Sequence, residues 1–150
     1  MFEEAYVFIP KGALQDVVTS RLPHWEKTRL WVLSRPLSGF AETFSQYIVE
    51  VSPAGGSQKP EPDKLAESVL FVVDEKVSLT VESKTYKMEN GGYAFLPLGA
   101  NWALTNESEN KVVFHWIRKA YEFVDGVDTP PYFVINVDDH TKYLISTQSI

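Results

Sequence analysis

Short segments of alternating residues constrain the fold of this chain more than any other feature of its sequence. Large apolar and polar residues alternate through Val77–Glu82, and Lys111–Arg118 is β-branched and aromatic with charged ends. A period of two residues is typical of half-buried β-strands. The only segment with helical character, Gly12–Thr19, is short. These patterns predict an all-β fold.

Further strands and the turns between them follow from the same reading. Further segments predicted to be strands are Tyr6–Ile9, Leu30–Leu33, Phe44–Val51, Val69–Val73, Tyr93–Leu96, Trp102–Thr105 and Tyr132–Val137. Pro53–Gly56 is predicted to end one strand, Ser57–Lys64 to be a polar loop, and Asn106–Asn110 to be a hairpin tip. Short strands at this spacing favour a sandwich or a barrel.

Composition limits the class of protein and its partners. The chain has 150 residues, enough for one domain, and its 44% hydrophobic content excludes an intrinsically disordered protein. A net charge of −6 argues against a nucleic-acid partner. The longest apolar run, Val69–Val73, is too short to span a bilayer, and Met1–Glu4 is acidic where a signal peptide is basic. We expect a soluble, cytoplasmic protein with no membrane partner.

The residues available for metal or nucleophilic chemistry are few. The chain has no cysteine and only three histidines, His24, His115 and His140, which are far apart in sequence. Most zinc sites and all Cys–His chemistry are therefore excluded. Alternation places His115 on the opposite face of its strand from Phe114 and Trp116, where we expect a hydrogen-bonded strand residue rather than a ligand.

One segment has the spacing of a known motif. Gly91, Pro97, Gly99 and Asn106 fall in the pattern G-x5-P-x-G-x2-H-x3-N, with Trp102 at the histidine position. This pattern resembles the second cupin motif. The resemblance implies a cupin double-stranded β-helix, a jelly-roll barrel, in which that position normally aims an imidazole into the barrel.

A second segment matches the first cupin motif, G-x5-H-x-H-x3-4-E-x6-G, in spacing only. Counted from Gly55, Glu61 and Asp63 stand at the histidine positions, Glu67 at the glutamate position and Asp74 at the final glycine. Three carboxylates could form a site for Mg²⁺ or Mn²⁺. A solvated acidic loop beside one strand carboxylate is the favoured interpretation.

The amino-acid sequences of several segments resemble those of one family of cupins, the bacterial (S)-ureidoglycine aminohydrolases. The resemblance extends from about Ala5 to Val134. The segments that carry this resemblance are Pro23–Leu33, Leu37–Tyr47, Glu67–Val73, Gly91–Pro97 and His115–Tyr121. Members of that family have two cupin barrels, and the resemblance implies that this chain matches the N-terminal one. It also implies one barrel with an N-terminal extension at residues 1–134 and a departing tail at 135–150.

In that family the manganese ligands and the catalytic residues belong to the C-terminal barrel. No residue here matches them, so we expect no catalytic residue, no metal ligand and no cofactor in this chain. The candidate binding site is a barrel pocket near Tyr47, Glu67, Phe71 and Trp102. Trp102 would either wall this pocket or fill the barrel as core. Glu67 would either be a desolvated acid or base, or pair with a basic residue at the rim.

Three hypotheses for function remain. The first is a metal-free module that forms a homo-oligomer or supports a second cupin domain. The second is ureidoglycine aminohydrolase activity, in ureide catabolism, once a second, manganese-binding barrel is present. The third is a barrel that binds a small molecule such as a ureide.

Overall fold

The strands of this chain form an antiparallel sheet that curls into a nearly closed barrel. The computed structural model describes residues 22–34 and 44–137. The strands in these residues are β1 (Glu26–Ser34), β2 (Phe44–Ser57), β3 (Ala66–Asp74), β4 (Val77–Val81), β5 (Lys84–Met88), β6 (Tyr93–Leu96), β7 (Trp102–Thr105), β8 (Val112–Ala120) and β9 (Phe133–Ile135). The predicted all-β jelly roll is confirmed.

The long strand β2 joins the two halves of the barrel. Its first part, Phe44–Val51, pairs with β8 on one side, and most of it also pairs with β1 on the other. Its last residues, Gly56 and Ser57, pair with β7. The strand order is β5-β4-β7-β2-β8-β3-β6-β9, with β1 attached to β2. One strand therefore belongs to both walls of the barrel.

The segment Pro53–Gly56 does not end β2, contrary to the sequence prediction. The strand continues through it to Ser57, with Ala54 at a φ of 55° and Gly56 at 140°. The backbone there is held by hydrogen bonds from Ala54 N to Asn106 O at 3.0 Å and from Asn106 N to Gly55 O at 2.9 Å. A Cβ at Gly56 would collide with the carbonyl oxygen of Leu104. Glycine here permits close strand approach rather than a turn.

The core lies inside the barrel and follows the two-residue period. Alternate residues of β3 and β8 are buried, among them Leu70, Val72, Phe114 and Trp116. Residues from both halves of the barrel join them in one hydrophobic cluster. The intervening residues of the same strands face outward.

The turn residues of the second cupin motif act through backbone geometry. Gly91 and Gly99 have φ angles of 82° and 72°, a region that residues with a Cβ rarely adopt. Asn106 is fully buried, and its Nδ2 donates to Val51 O at 2.9 Å and to Asn110 O at 2.8 Å. Its Oδ1 accepts the Ser108 N–H at 2.9 Å. The motif therefore fixes the turn that follows β7.

Two local predictions differ from the structure. Asn106–Asn110 is a turn but not a hairpin tip, because β7 pairs with β2 and β4 whereas β8 pairs with β2 and β3. The strand β5 was not predicted. It forms a hairpin with β4 whose register places Leu79 opposite Tyr86.

Side chains tie β5 to the segment around β9, where the two ends of the sheet meet. Asn136 donates to Lys87 O at 2.9 Å and accepts from Glu89 N at 3.1 Å. The hydroxyl groups of Tyr86 and Tyr132 lie 3.2 Å apart. Because β9 ends at Ile135, the domain boundary predicted after residue 134 falls inside a strand.

Several sequence predictions fall on residues that the structure does not describe. They are the N-terminal extension with its strand Tyr6–Ile9 and its helix Gly12–Thr19, and the tail from residue 138 onward with His140. In the ranges 22–34 and 44–137 there is no helix with the length and hydropathy needed to cross a membrane.

Candidate functional site

An ion pair closes the interior of the barrel at one end. Arg118 of β8 lies on the inward face with Phe114 and Trp116, and its Nη2 donates to Glu61 Oε1 at 2.6 Å. Its Nε donates to the other oxygen of the same carboxylate, which makes the pair bidentate. The Glu61 side chain is only 5% exposed. Burial opposes the charge on Arg118, but Glu61 and the Tyr47 hydroxyl outweigh it and hold the arginine pKa above its ordinary value.

A cluster of aromatic rings fills the barrel beside this ion pair. The ring centroid of Trp116 lies 5.7 Å from Trp25, 5.7 Å from Tyr47 and 6.0 Å from Trp102. The Arg118 guanidinium lies over the Trp116 ring at 5.2 Å. Trp116 Nε1 donates to Ser68 Oγ at 3.1 Å. The indole nitrogen of Trp116, the central ring of the cluster, therefore has a hydrogen-bond partner, as a buried polar group requires.

A cavity of about 190 Å³ opens at the barrel mouth next to this cluster. Glu61, Asp63 and Trp102, which stand at the three motif positions for histidine, all line it. Ser68 lines it as well, whereas Glu67 faces the other side of β3. The first motif allows three or four residues before its glutamate, and the alternation of β3 shows that the inward position is residue 68. The structure therefore gathers the cupin metal positions around one cavity.

The residues at these positions do not suit a metal ion. Both oxygens of Glu61 bond to Arg118, Asp63 is exposed and bonded to Leu65 N, and Ser68 and Trp102 are poor ligands. Within residues 22–34 and 44–137, no group of three or more His, Asp or Glu side chains is placed to hold a metal. The three-carboxylate site considered from the sequence is not assembled, because Glu67 points away from Glu61 and Asp63.

The structure divides the predicted pocket residues between two faces. Tyr47 and Trp102 face inward and both contact Trp116. Glu67 and Phe71 face outward, because Ala66, Ser68, Leu70 and Val72 take the inward positions of β3. Trp102 and Tyr47 are thus in or beside the barrel interior, and the other two belong to the outer surface.

Phe71 belongs to a group of apolar side chains on the outside of β3, β6 and β9. We call this group the outer apolar face; it consists of Val69, Phe71, Tyr93, Phe95 and Phe133. Cross-strand pairing sets Val69 beside Phe95 and Phe95 beside Phe133, with Phe71 beside Tyr93. The Phe133 ring stacks on Tyr93 and Phe95 at 5.7 and 5.8 Å. Phe71 is 42% exposed and Phe133 41%.

Polar atoms near this outer surface lack the partners found in the interior. His115 lies on β8 directly opposite Phe71, on the face predicted from alternation. Its Nδ1 is buried and has no hydrogen-bond partner among residues 22–34 and 44–137, and the same holds for Nε1 of Trp31. The prediction of a hydrogen-bonded His115 is therefore wrong for this nitrogen atom.

Sequence reasoning missed two residues of the barrel mouth. The alternation of Lys111–Arg118 already places Arg118 on the face of Phe114 and Trp116, so its inward position could have been predicted. Its partner could not, because Glu61 lies 57 residues away in a loop without periodicity. Ser68 was not predicted because the shorter spacing of the first cupin motif assigns its glutamate position to the neighbouring Glu67.

Comparison with known proteins supports the assignment of the fold. The sequence profile of the EutQ-like cupin domain matches residues 38–121, more than half of the chain. The chain belongs to the EutQ-like cupin domain family. The predicted resemblance to cupins is thereby confirmed.

Individual relatives agree with this assignment. The (S)-ureidoglycine aminohydrolase of Escherichia coli K12 is 27% identical over 118 residues, which cover 78% of this chain and 42% of the enzyme. A solved structure of a putative glyoxylate-induced protein from Pseudomonas aeruginosa is 57% identical, with a TM-score of 0.83 over 93% of this chain and 52% of that one. The Ylba protein of E. coli, at 24% identity and a TM-score of 0.75 over 83% of this chain and 50% of its own, shares the fold. This cupin domain spans about half the length of these relatives.

Proposed function

We propose that this cupin domain is a non-catalytic barrel that associates with another cupin barrel through its outer apolar face. The observation that carries the proposal is a contiguous set of apolar and aromatic side chains on the outside of the sheet, in which Phe71 and Phe133 are exposed and Val69, Tyr93 and Phe95 are half-buried. Single exposed apolar residues are ordinary, whereas an adjoining group of aromatic rings marks a contact surface.

Burial of this surface would contribute free energy to association. Burying an exposed phenylalanine side chain contributes about 1.5–3 kcal/mol, and both Phe71 and Phe133 have two fifths of their surface exposed. Lys119 and Glu67 lie opposite each other at the border of the face, where they would supply a polar rim.

The occupant we propose is a second cupin barrel. The relatives with solved structures have about twice the length of this chain, so a partner of comparable size is present within each of them. For the protein studied alone, a second copy of this chain would take that place. Such a dimer would bury the same surface on both partners.

We further propose that the domain works in ureide catabolism, in the cytoplasm, without a metal or a catalytic residue of its own. The resemblance to (S)-ureidoglycine aminohydrolase supports the process. The ion pair between Glu61 and Arg118 supports the absence of a metal, because it uses a carboxylate that a metal would need. Incubation of the purified chain with (S)-ureidoglycine and Mn²⁺ tests this part. We expect no ammonia release above the uncatalysed rate, and release above it would contradict the proposal.

A second candidate function is aminohydrolase activity in complex with a manganese-binding barrel. The identity to the E. coli enzyme over 42% of its length favours this alternative. Adding a separately purified second barrel to this chain would then restore ammonia release. If the second barrel alone were equally active, this chain would have no part in the activity.

The oligomeric state tests the association. Sedimentation velocity at micromolar concentration should show a dimer of the wild-type chain. Phe71→Glu places a charge in the centre of the outer apolar face and should weaken the dimer at least about 30-fold, the loss of one hot-spot residue. Leu65→Glu is the matched control, because Leu65 is 57% exposed in the loop before β3 and is not one of the five residues of the outer apolar face.

The control variant should remain a dimer, and both variants should keep the far-ultraviolet spectrum of the wild type. A monomeric wild type at micromolar concentration would overturn the proposal for a second copy. Equal weakening by Leu65→Glu and Phe71→Glu would overturn the choice of face.

A further inference from the structure

The cavity at the barrel mouth is a site separate from the outer apolar face. Its inner end is marked by Ser68, which is only 2% exposed. The Ser68 oxygen accepts the Trp116 N–H at 3.1 Å, and among the described residues its own hydroxyl proton has no acceptor. A buried hydroxyl donor without an acceptor is costly, and a ligand with a carbonyl oxygen would satisfy it.

Part of the cavity wall is apolar. Leu96 and Trp102 are buried and line it together with Pro97 and Ala66. These groups suit the short hydrocarbon part of a small molecule. A volume of about 190 Å³ is below the range of drug-sized pockets and suits a metabolite of a few carbon atoms.

The rim of the cavity has a positive charge balance in a protein whose net charge is −6. Lys59 and Lys64 line the rim with Asp63, and Glu61 is neutralised by Arg118. Neither lysine forms an ion pair with any described residue. One positive charge therefore remains at the rim, where a carboxylate would be attracted.

We propose that the barrel-mouth cavity binds a small monocarboxylate that also has a carbonyl group. The carbonyl oxygen would accept the Ser68 hydroxyl proton, the hydrocarbon part would lie against Trp102, and the carboxylate would lie between Lys59 and Lys64. This site uses no residue of the outer apolar face, so the test of ligand binding is independent of the test of association.

Titration with simple probes tests the chemistry of the ligand. The probes with both groups are pyruvate and 4-oxopentanoate. Pentanoate has only the carboxylate, and 2-pentanone has only the carbonyl. Binding to the full chain can be followed by backbone amide shifts and by tryptophan fluorescence. We expect at least one oxo acid to bind with a Kd of about 1 mM or lower, to shift Ser68 and Trp102, and to bind more tightly than the other two probes.

Substitutions then test the two ends of the site. Lys59→Met combined with Lys64→Met should weaken binding of the oxo acid about three- to tenfold, because two exposed ion pairs are lost. Lys87→Met is the matched control, since Lys87 is exposed on β5 and does not line the cavity. Ser68→Ala should remove the preference for the oxo acid over pentanoate.

Three results would overturn the proposal. The first is the absence of saturable binding by both oxo acids at about 20 mM, well above the expected Kd. The second is equal binding of 2-pentanone and the oxo acids. The third is equal weakening by the Lys59/Lys64 double variant and by Lys87→Met. If Ser68→Ala fails to fold, the lysine variants still decide the outcome, because their side chains are on the surface.

Discussion

The three neighbouring strands β8, β3 and β6 carry aromatic residues on both the inner and the outer face of the sheet. The two faces differ in the hydrogen bonds of their polar atoms. On the inside, Trp116 donates to Ser68 and Arg118 bonds to both oxygens of Glu61. On the outside, the buried Nδ1 of His115 has no partner and Phe71 stays 42% exposed. In the interior Trp116 and Arg118 are bonded within one chain, whereas on the outside a buried nitrogen atom and exposed apolar side chains remain.

This difference separates stability from association. A side chain whose contacts are complete contributes to folding of the monomer, so its loss should lower the free energy of unfolding. A side chain that is half exposed contributes little until a partner covers it. Substitutions on the inner face should therefore lower the free energy of unfolding, whereas substitutions on the outer face should mainly weaken association.

The largest effect should come from the centre of the aromatic cluster. Trp116→Ala removes a ring that contacts Trp25, Tyr47 and Trp102, and it should lower the free energy of unfolding by about 3–5 kcal/mol in urea denaturation. Phe71→Ala on the opposite face of the neighbouring strand is the control, measured at a concentration where the protein is monomeric. An equal loss for both variants would remove the distinction between the faces.

A somewhat smaller effect is expected at the ion pair. Arg118→Met leaves the Glu61 carboxylate buried without its cationic partner and should destabilise the protein by about 3 kcal/mol. Combining it with Glu61→Leu should recover much of that loss, because the unpaired charge is removed as well. Thermal and urea unfolding of the two single variants and the double variant measure the coupling. Additive losses would show that the two side chains act independently.

Little change is expected at the unpartnered histidine. His115→Leu removes a nitrogen atom that has no hydrogen bond, so the free energy of unfolding should stay within about 1 kcal/mol of the wild type or rise. Asn106→Leu is the contrasting variant, because Asn106 bonds to Val51, Ser108 and Asn110 and its loss should be strongly destabilising. A large loss for His115→Leu would indicate a partner for its imidazole.

The smallest effect is expected for the carboxylate that motif counting singled out. Glu67→Gln lies on the outer side of β3, opposite Lys119, and should change the free energy of unfolding by less than about 0.5 kcal/mol. It should also leave oxo-acid binding in the barrel mouth unchanged, as measured by the same titration. Weaker ligand binding in this variant would mean that Glu67 reaches the cavity after all.

The sequence predicted the parts of this fold that depend on periodicity. Alternation identified β8 and placed His115 on the opposite face of the strand from Phe114 and Trp116. It could not predict that β2 runs through Pro53–Gly56, because glycine and proline usually interrupt strands and the reason for Gly56 is its close approach to Leu104. The strand β5 was missed because its residues are mostly polar and exposed.

The candidate site was less predictable than the fold. The predicted pocket of Tyr47, Glu67, Phe71 and Trp102 is divided between two faces of the sheet, and the residues that line the cavity with Trp102 include Glu61 and Asp63, for which a solvated acidic loop was the favoured interpretation. Successive side chains on β3 point to opposite faces of the sheet. Placing the glutamate position of the first motif one residue too early therefore selected the outward Glu67 instead of the inward Ser68. The bond between Glu61 and Arg118 joins a loop to a distant strand, and no local pattern records such a contact.

The ion pair in the barrel mouth has a consequence for how the protein depends on its surroundings. A metal ion in that place would be supplied by the cell and could be removed by a chelator or replaced by a competing ion. The Arg118 guanidinium is covalently part of the chain and stays charged across the physiological pH range. The loop that holds Glu61 is therefore fastened to the sheet as soon as the chain folds, whatever the supply of metal.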